Sequence, residues 1–176
     1  MSRSLATAIV LAASLAGSAE TPGPAPRLDA WQIVGPGGGG TMRRPAVSPH
    51  DPRLVVEGCD MTGSYITDDA GQSWRMFNLG WVVDSFAFDH SDPAVVYAAN
   101  GALWRSEDAG RSWSLVYPDP ARHTVEHGWG DHADVVYTTD EPTYASGLDV
   151  TIHAVVVDPS DSRRLFLALS ATPPGP

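Results

Sequence analysis

Two stretches of sequence decide the fold of this chain: TDDAGQSW at residues 67–74 and SEDAGRSW at residues 106–113. They share the spacing of Asp, Gly, Ser and Trp, and Asp69 and Asp108 lie 39 residues apart. A second motif, an Asp-containing turn followed by an apolar run, occurs at residues 48–56, 89–97 and 158–166. The chain therefore contains an internal repeat with a period of about 40 residues.

Short strands at that period are typical of an all-β fold, the β-propeller, whose blades are four-stranded antiparallel sheets. We predict blades at about residues 42–78, 82–117 and 150–170, separated after the second by a polar insertion at residues 118–149 to which no strand is assigned. The predicted strands are 42–47, 54–58, 64–67 and 73–78, then 82–88, 94–99, 102–106 and 112–117, then 150–157 and 165–169.

The predicted propeller, residues 31–176, is incomplete. It has about two and a half blades, whereas propellers usually need four to eight to close. An open half-ring exposes apolar inner strands and an unpaired edge. We therefore expect the missing blades to come from the rest of a longer protein, which is the interpretation we favour, or from another copy of the chain.

The composition excludes several classes of function. The chain has 176 residues, 43% of them hydrophobic and 18% charged, enough for one globular domain. Its 11 basic residues are all Arg, and with 21 acidic residues they give a net charge of −10. Nucleic acid and anionic membranes need a basic patch on the protein, so we expect neither as a partner.

The N-terminus predicts export. Residues 1–19 combine Arg3, an apolar run and small residues at the end, which is the pattern of a signal peptide, and the run is too short to span a bilayer. We expect cleavage after Ala19, a linker at residues 20–30, and a secreted or periplasmic protein that is not bound to a membrane after cleavage. Cys59 is the single cysteine, so we expect a buried free thiol.

The motif at residues 67–74 and 106–113 resembles the Asp-box, or bacterial neuraminidase repeat. It is carried by sialidases, sortilin-type receptors, photosystem assembly factors and xyloglucanase-type glycoside hydrolases. Its residue types predict a structural role, because Asp accepts backbone N–H bonds in a turn, Gly supplies positive φ and Trp packs inward. The residues concerned are Asp69, Gly71, Trp74, Asp108, Gly110 and Trp113.

Within that superfamily, residues 31–117 are similar to xyloglucanase-type glycoside hydrolases. Those enzymes open with a Trp, a Gly-rich run and a turn of the form Thr-Asp-Ile-Gly-Gly-x-Tyr. The counterparts here are Trp31, glycines 37–40 and CDMTGSY at residues 59–65, with Thr62 in place of the first Gly. The insertion has no counterpart. The resemblance implies that Asp60 is the general base of an inverting hydrolysis.

Strand order sorts the predicted turns between the two ends of each sheet. The Asp-box turns and the repeated Asp turns fall at one end, which we call the turn end. Asp60, the glycines, Trp81 and the insertion fall at the other, the loop end, which we predict to be the binding end. Glycines there admit a sugar ring, and aromatic faces suit its apolar side. The predicted substrate-binding residues are Gly38, Gly39, Gly40, Tyr65, Trp81 and Trp129, with Tyr144 as a further stacking candidate.

Three of these features have simpler interpretations. In these interpretations, Asp60 only caps its own turn. The glycine run is a flexible lead-in to the first strand, and Trp81 packs between blades. A phosphate-binding loop is not expected, because no Lys-Ser/Thr follows the glycines and no helix is predicted there.

A polar cluster in the insertion raises the question of a metal site. The spacing does not match a zinc protease, because Thr124 stands where the pattern needs Glu. We expect a solvated loop, and neither a metal nor a cofactor. The cluster comprises His123, Glu126, His127, Asp131, His132 and Asp134.

The leading hypothesis is a secreted carbohydrate-active propeller, part of an inverting glycoside hydrolase that acts on a β-glucan such as xyloglucan. Inversion needs one carboxyl group as acid and one as base. The resemblance places the acid on a second propeller, so we expect this chain alone to be inactive; Glu126, Asp131 and Asp134 are candidate substitutes that spacing does not separate. The alternatives are a non-catalytic exported propeller that binds protein or glycan, sortilin-like or assembly-factor-like, and a sialidase-like enzyme, for which Arg44-Pro45 is the loose match.

Overall fold

The described secondary structure consists of antiparallel β-sheet. The computed structural model describes residues 34–37, 40–61, 63–121, 123–127, 135–139 and 149–172, with the backbone alone for residues 123–127, 135–139, 149 and 172. These residues form twelve strands and no helix. Nothing in this part of the chain is a helix of the length and hydropathy that crossing a membrane requires.

The first sheet has four strands that follow one another in sequence and in space. They are β1 (Met42–Val47), β2 (Val55–Cys59), β3 (Gly63–Thr67) and β4 (Arg75–Asn78). The pairing of β1 with β2 is interrupted by a bulge between Arg43 and Ala46, where Arg44 adopts a φ of 59°. Positive φ is uncommon outside glycine, and here it re-aims the Arg44 side chain at the bulge.

The second sheet repeats the order of the first. Its strands are β5 (Ser85–Phe88), β6 (Val96–Ala99), β7 (Leu103–Ser106) and β8 (Ser114–Tyr117). The two predicted four-stranded antiparallel sheets are thus confirmed, while their arrangement in a propeller stays a prediction. Strands β4 and β8 begin two residues later than predicted, because the N–H groups of Ser73 and Ser112 bond to turn carboxylates instead of a strand.

The insertion corrects one prediction. Residues 118–149, to which no strand was assigned, contain a two-stranded hairpin of β9 (His123–His127) and β10 (Val135–Thr139). Thr, Val and Tyr in these strands favour β-structure in spite of the polar composition around them. The third sheet follows, with β11 (Asp149–Val157) and β12 (Leu165–Thr172), and β12 extends three residues beyond the predicted strand.

The core lies between the sheets. Val56 and Ile66 of the first sheet pack with Phe88 and Val96 of the second. On the other face of the second sheet, a further cluster combines residues of β6, β7 and β11, including Tyr97. The first sheet therefore buries apolar side chains against the second, and the second against the sheet that contains β11.

Hydrogen bonds between repeated turns join the sheets at the turn end. The His50 ring Nε2 lies 2.8 Å from the Asp89 carbonyl oxygen, which connects the first sheet to the second. The Ser162 hydroxyl donates to the Asp89 carboxylate at 2.6 Å, which connects the third. Within each turn an Asp carboxylate accepts the N–H two residues on, in the pairs Asp51 and Arg53, Asp92 and Ala94, and Asp161 and Arg163.

Candidate functional site

The loop end of the first sheet joins Asp60 to the residue before β1. Asp60 Oδ1 accepts a hydrogen bond from the Thr41 backbone N–H at 2.7 Å, and the Asp60 N–H donates to the Thr41 carbonyl at 3.2 Å. Thr41 directly precedes β1 and Asp60 directly follows β2. The pair therefore extends the β1–β2 ladder, and the carboxylate bonds to a residue 19 positions away in the chain.

The surroundings of Asp60 favour its ionised form. The Thr41 N–H lowers the pKa of the exposed carboxyl below its ordinary value, and the Cys59 thiol and the charge of Arg43 act in the same direction. The Cys59 Sγ lies 3.6 Å from Asp60 Oδ1. Cys59 is a buried thiol, as predicted. At neutral pH, Asp60 therefore presents an acceptor at the loop end.

Gly40 is fitted closely against this carboxylate. Its φ is +91°, and a Cβ added there would lie 2.6 Å from Asp60 Oδ1 and 2.8 Å from Cys59 Sγ. Both the backbone conformation and the space therefore require glycine. The structure brings Gly40 and Asp60 together, as the sorting of the ends predicted. Gly38 and Gly39 lie outside the described residues.

An ion pair at the same end was missed in the sequence. Arg44 donates to the Asp84 carbonyl at 2.6 Å, and its guanidinium lies 3.2 Å from the Asp84 carboxylate. Asp84 directly precedes β5 as Thr41 precedes β1, so the repeat itself offered a signal for its position. The pair joins β1 of the first sheet to the residue before β5 of the second, and it neutralises a second carboxylate near the predicted site. It also engages the Arg44 side chain that suggested a sialidase.

The predicted aromatic residues are only partly described. Tyr65 is half-buried on β3, opposite Met76 of β4 and Glu57 of β2. Trp81 is half-buried in the connection between β4 and β5. Half-burial leaves part of each ring accessible. Trp129 and Tyr144 lie outside the described residues.

Glu57 is a second carboxyl group that sequence reasoning overlooked. It lies on β2, three residues before Asp60, and its Oε1 is buried without a hydrogen-bond partner. Burial raises the pKa of this carboxyl above its ordinary value, in the direction opposite to Asp60. Glu57 therefore accepts a proton more readily than an exposed glutamate does.

The two repeat turns, residues 67–74 and 106–113, have matching hydrogen bonds. Asp69 accepts the Ser73 N–H at 2.9 Å and the Ser73 hydroxyl at 2.6 Å. Asp108 accepts the same groups of Ser112 at 2.8 and 2.6 Å. These bonds, with those from Thr67 and Ser106, lower the pKa of each Asp to about 2. Each carboxylate therefore accepts hydrogen bonds from within its own turn.

Each turn also contains one glycine and one tryptophan with a defined local geometry. Gly71 and Gly110 have φ of +84° and +78°. Trp113 packs with the clusters between the first and second sheets, and the Trp74 indole N–H donates to the Val34 carbonyl at 2.7 Å. Both rings are half-buried. The turns thus attach each sheet to the residues that precede it in the chain.

A cavity of about 330 Å³ lies at the turn end, between the first and second sheets. Its lining includes Leu54 and Ile66 from the core side, the Trp74 ring, and the Asp68 and Arg111 side chains. The last two form a loose ion pair at 3.7 Å. The cavity therefore lies at the opposite end of the first sheet from Gly40 and Asp60.

The metal question concerns side chains that the structure does not describe. Among the described side chains, no group of three or more His, Cys, Asp and Glu could hold a metal ion. Strand β9 contains His123, Glu126 and His127, whose backbone alone is described, and Asp131, His132 and Asp134 lie outside the described residues.

Comparison with known proteins finds similarity among solved structures. No protein-family model and no curated protein matches the chain. A GH74 xyloglucanase from Xanthomonas campestris is similar at 23% identity, with a TM-score of 0.38, over 70% of this chain and 26% of that one. The chain thus spans about a quarter of the length of that xyloglucanase. At this identity and TM-score, the similarity does not establish a family.

Proposed function

We propose that this chain is part of a carbohydrate-active β-propeller in which Asp60 is the general base of an inverting glycoside hydrolase acting on a β-glucan such as xyloglucan. The observation that supports it best is the pairing of Asp60 with Thr41 beside Gly40. The Thr41 N–H holds the exposed Asp60 carboxylate in its ionised form, and only glycine fits beside that carboxylate at position 40. The motif resemblance around residues 59–65 adds the reaction type.

The chemistry assigns one proton transfer to Asp60. In an inverting hydrolysis, water attacks the anomeric carbon while a carboxylate takes the proton from that water and an acid protonates the leaving oxygen. An ionised Asp60 is in the form needed to accept the proton. Trp81 supplies aromatic surface for the sugar rings. The acid is contributed by a part of the enzyme outside this chain.

One observation favours a second function, the non-catalytic binding of glycan or protein. Asp84 lies directly before β5 at the loop end of the second sheet, and its carboxylate forms an ion pair with Arg44. The Arg44 guanidinium occupies this carboxylate and makes it less available to contact a substrate. An exported binding module would keep the aromatic surface of the loop end without any turnover.

A substrate with a reactive leaving group separates the two functions. Dinitrophenolate leaves without protonation, so a chain with only the base can hydrolyse a dinitrophenyl β-glycoside of a glucan oligosaccharide. We expect release by the unmodified chain and a loss of about 10²-fold in Asp60→Asn, the contribution of one general base. Asp68→Asn, which changes an exposed carboxyl at the turn end, is the control and should keep the rate.

Binding is measured on the same samples by calorimetry with xyloglucan oligosaccharides. Trp81→Ala should weaken binding by about tenfold, while Asp60→Asn should change it little. Binding without release from the dinitrophenyl substrate would contradict the hydrolase and support the binding module. Equal release by the unmodified chain and Asp60→Asn would remove Asp60 from the mechanism.

A further inference from the structure

The three sheets stack in one direction. We call the face of each sheet that meets the next sheet along the chain its forward face, and the opposite one its backward face. Val56 on the forward face of the first sheet packs with Val96 and Phe88 on the backward face of the second. Tyr97 on the forward face of the second sheet packs with Ile152 and Val155 of the third.

The repeat makes these two interfaces equivalent. Val56 lies five residues after Asp51, and Tyr97 lies five residues after Asp92, so they occupy the same position of the repeated turn and strand. Both are buried, at 0% and 7% exposure. A forward face therefore packs on a backward face twice within one molecule, and equivalent strands of the repeat form the two contacts.

The forward face of the third sheet exposes the position that is buried in the other two. Phe166 lies five residues after Asp161, as Val56 and Tyr97 follow their own Asp. It is 61% exposed, and its cross-strand partner Val156 is 56% exposed. The two side chains form an apolar patch on the described part of the third sheet.

The backward face of the first sheet is open in the same way. Val47 pairs with Val55 there, as Phe88 pairs with Val96 in the second sheet. Val47 is 54% exposed, whereas Phe88 is 6% exposed. Met76 adds a further exposed apolar side chain to this face. This face has the chemistry of the surface that a forward face covers inside the molecule.

We propose that the forward face of the third sheet docks on the backward face of the first sheet of a second copy, so that copies of this chain associate head to tail. A second copy is the expected partner because it carries the backward face that a forward face covers in both interfaces within the chain. Burial of exposed apolar side chains drives the contact. Because the two surfaces differ, the contact is heterologous, and each copy keeps one free surface after it forms.

Glu57 limits the strength of this contact. It lies on the backward face of the first sheet, at the position that Ala98 occupies, fully buried, in the second. A partner covering Glu57 would bury a carboxyl group, which opposes association. Replacement by the residue of the second sheet, Glu57→Ala, should therefore tighten association by at least about tenfold.

Sedimentation velocity tests the arrangement with one variant for each surface. Phe166→Asp disrupts the forward face of the third sheet, and Val47→Asp disrupts the backward face of the first. Both positions are exposed, so both variants should fold, which circular dichroism would verify. We expect the unmodified chain to associate between about 5 µM and about 500 µM, with each variant alone monomeric. Val116→Asp, an exposed apolar position on β8, is the control and should associate normally.

Mixing the two variants is the decisive step. Phe166→Asp keeps its backward face and Val47→Asp keeps its forward face, so an equimolar mixture should form dimers that grow no further. A monomeric mixture would overturn the head-to-tail arrangement. So would a monomeric unmodified chain at the highest concentration, or association of either variant alone.

Discussion

Trp113 stacks on Phe77, with ring centroids 5.2 Å apart and planes inclined by 18°. Trp113 ends the second repeat turn and Phe77 lies on β4 of the first sheet. Phe77 also meets Phe86 of β5 edge to face, at 6.3 Å and 70°. One side chain of the first sheet thus contacts two aromatic rings of the second, and it belongs to both apolar clusters between them.

Removal of this central ring should destabilise the protein strongly. We expect Phe77→Ala to lower the free energy of unfolding by about 3 kcal/mol, through lost burial and the cavity left behind. Ser114→Ala, an exposed position directly after Trp113, should change it by less than about 0.5 kcal/mol. Urea denaturation measures both, and equal effects would show that the aromatic cluster does not stabilise the interface.

Acid should weaken the repeat turns. The folded-state pKa of Asp69 and Asp108 is about 2, below the ordinary value of 3.8, so their ionised forms are favoured by folding. Their contribution is complete above the ordinary value and is lost as pH falls through 3.8 towards 2. We expect the melting temperature to fall over this range.

The double variant Asp69→Asn/Asp108→Asn provides the comparison for that titration. It should be less stable at neutral pH, and its melting temperature should depend less on pH below about 5. Asp68→Asn, which changes the exposed neighbour, should keep the steep dependence. A double variant with the unmodified slope would show that other carboxyls cause the acid sensitivity.

Two glycines allow the contact with Asp60 to be tested apart from backbone strain. Gly37 and Gly40 both have positive φ, but an added Cβ meets nothing within 4 Å at Gly37 and meets the Asp60 carboxylate at Gly40. We expect Gly40→Ala to displace Asp60 from the Thr41 N–H and to raise its pKa towards the ordinary value. Gly37→Ala should leave that pKa low. Carboxyl titration by NMR measures the difference, and equal pKa values would contradict the close fit.

A buried amide stabilises the loop end of the second sheet. Asn100 donates to the Leu79 carbonyl at 3.0 Å and accepts the Trp104 indole N–H at 3.0 Å. Its Oδ1 also accepts the Ala102 N–H at 3.4 Å. Asn100→Ala removes these three bonds within the protein interior and should cost about 2 kcal/mol of unfolding free energy. Asn78→Ala, at an exposed position that bonds to the Gly80 N–H, should cost less than about 1 kcal/mol. Thermal denaturation that ranks them the other way round would refute this assignment.

The repeat predicted most of the described fold, because turn chemistry is local. The first strand was predicted at its observed bounds, residues 42–47, and both four-stranded sheets were predicted. The errors follow from bonds that strand patterns do not reveal, such as the carboxylate that holds the Ser73 N–H in the turn. The β9–β10 hairpin was missed because the composition of residues 118–149 is polar, although its own strands contain β-favouring residues.

The candidate site was only half predictable. The end at which Asp60 and Gly40 lie follows from strand order alone. The pairing of Arg44 with Asp84 does not, because it depends on a bulge in β1 that gives a non-glycine residue a positive φ. Likewise, the sequence of β2 does not show that the Glu57 Oε1 atom is buried. Local patterns place residues at an end of a sheet, whereas bulges and tertiary packing decide which side chains meet.

The second sheet is covered on both of its faces, whereas the described parts of the first and third sheets leave one face open. In a linear array of units that contact only their neighbours, resistance to local opening rises with the number of neighbours. Amide hydrogens of Val96–Ala99 should therefore exchange with deuterium most slowly, and those of Leu165–Thr172 much faster. Order in this chain is then lost from the outer sheets inward, and the middle of the sequence is the last part to unfold.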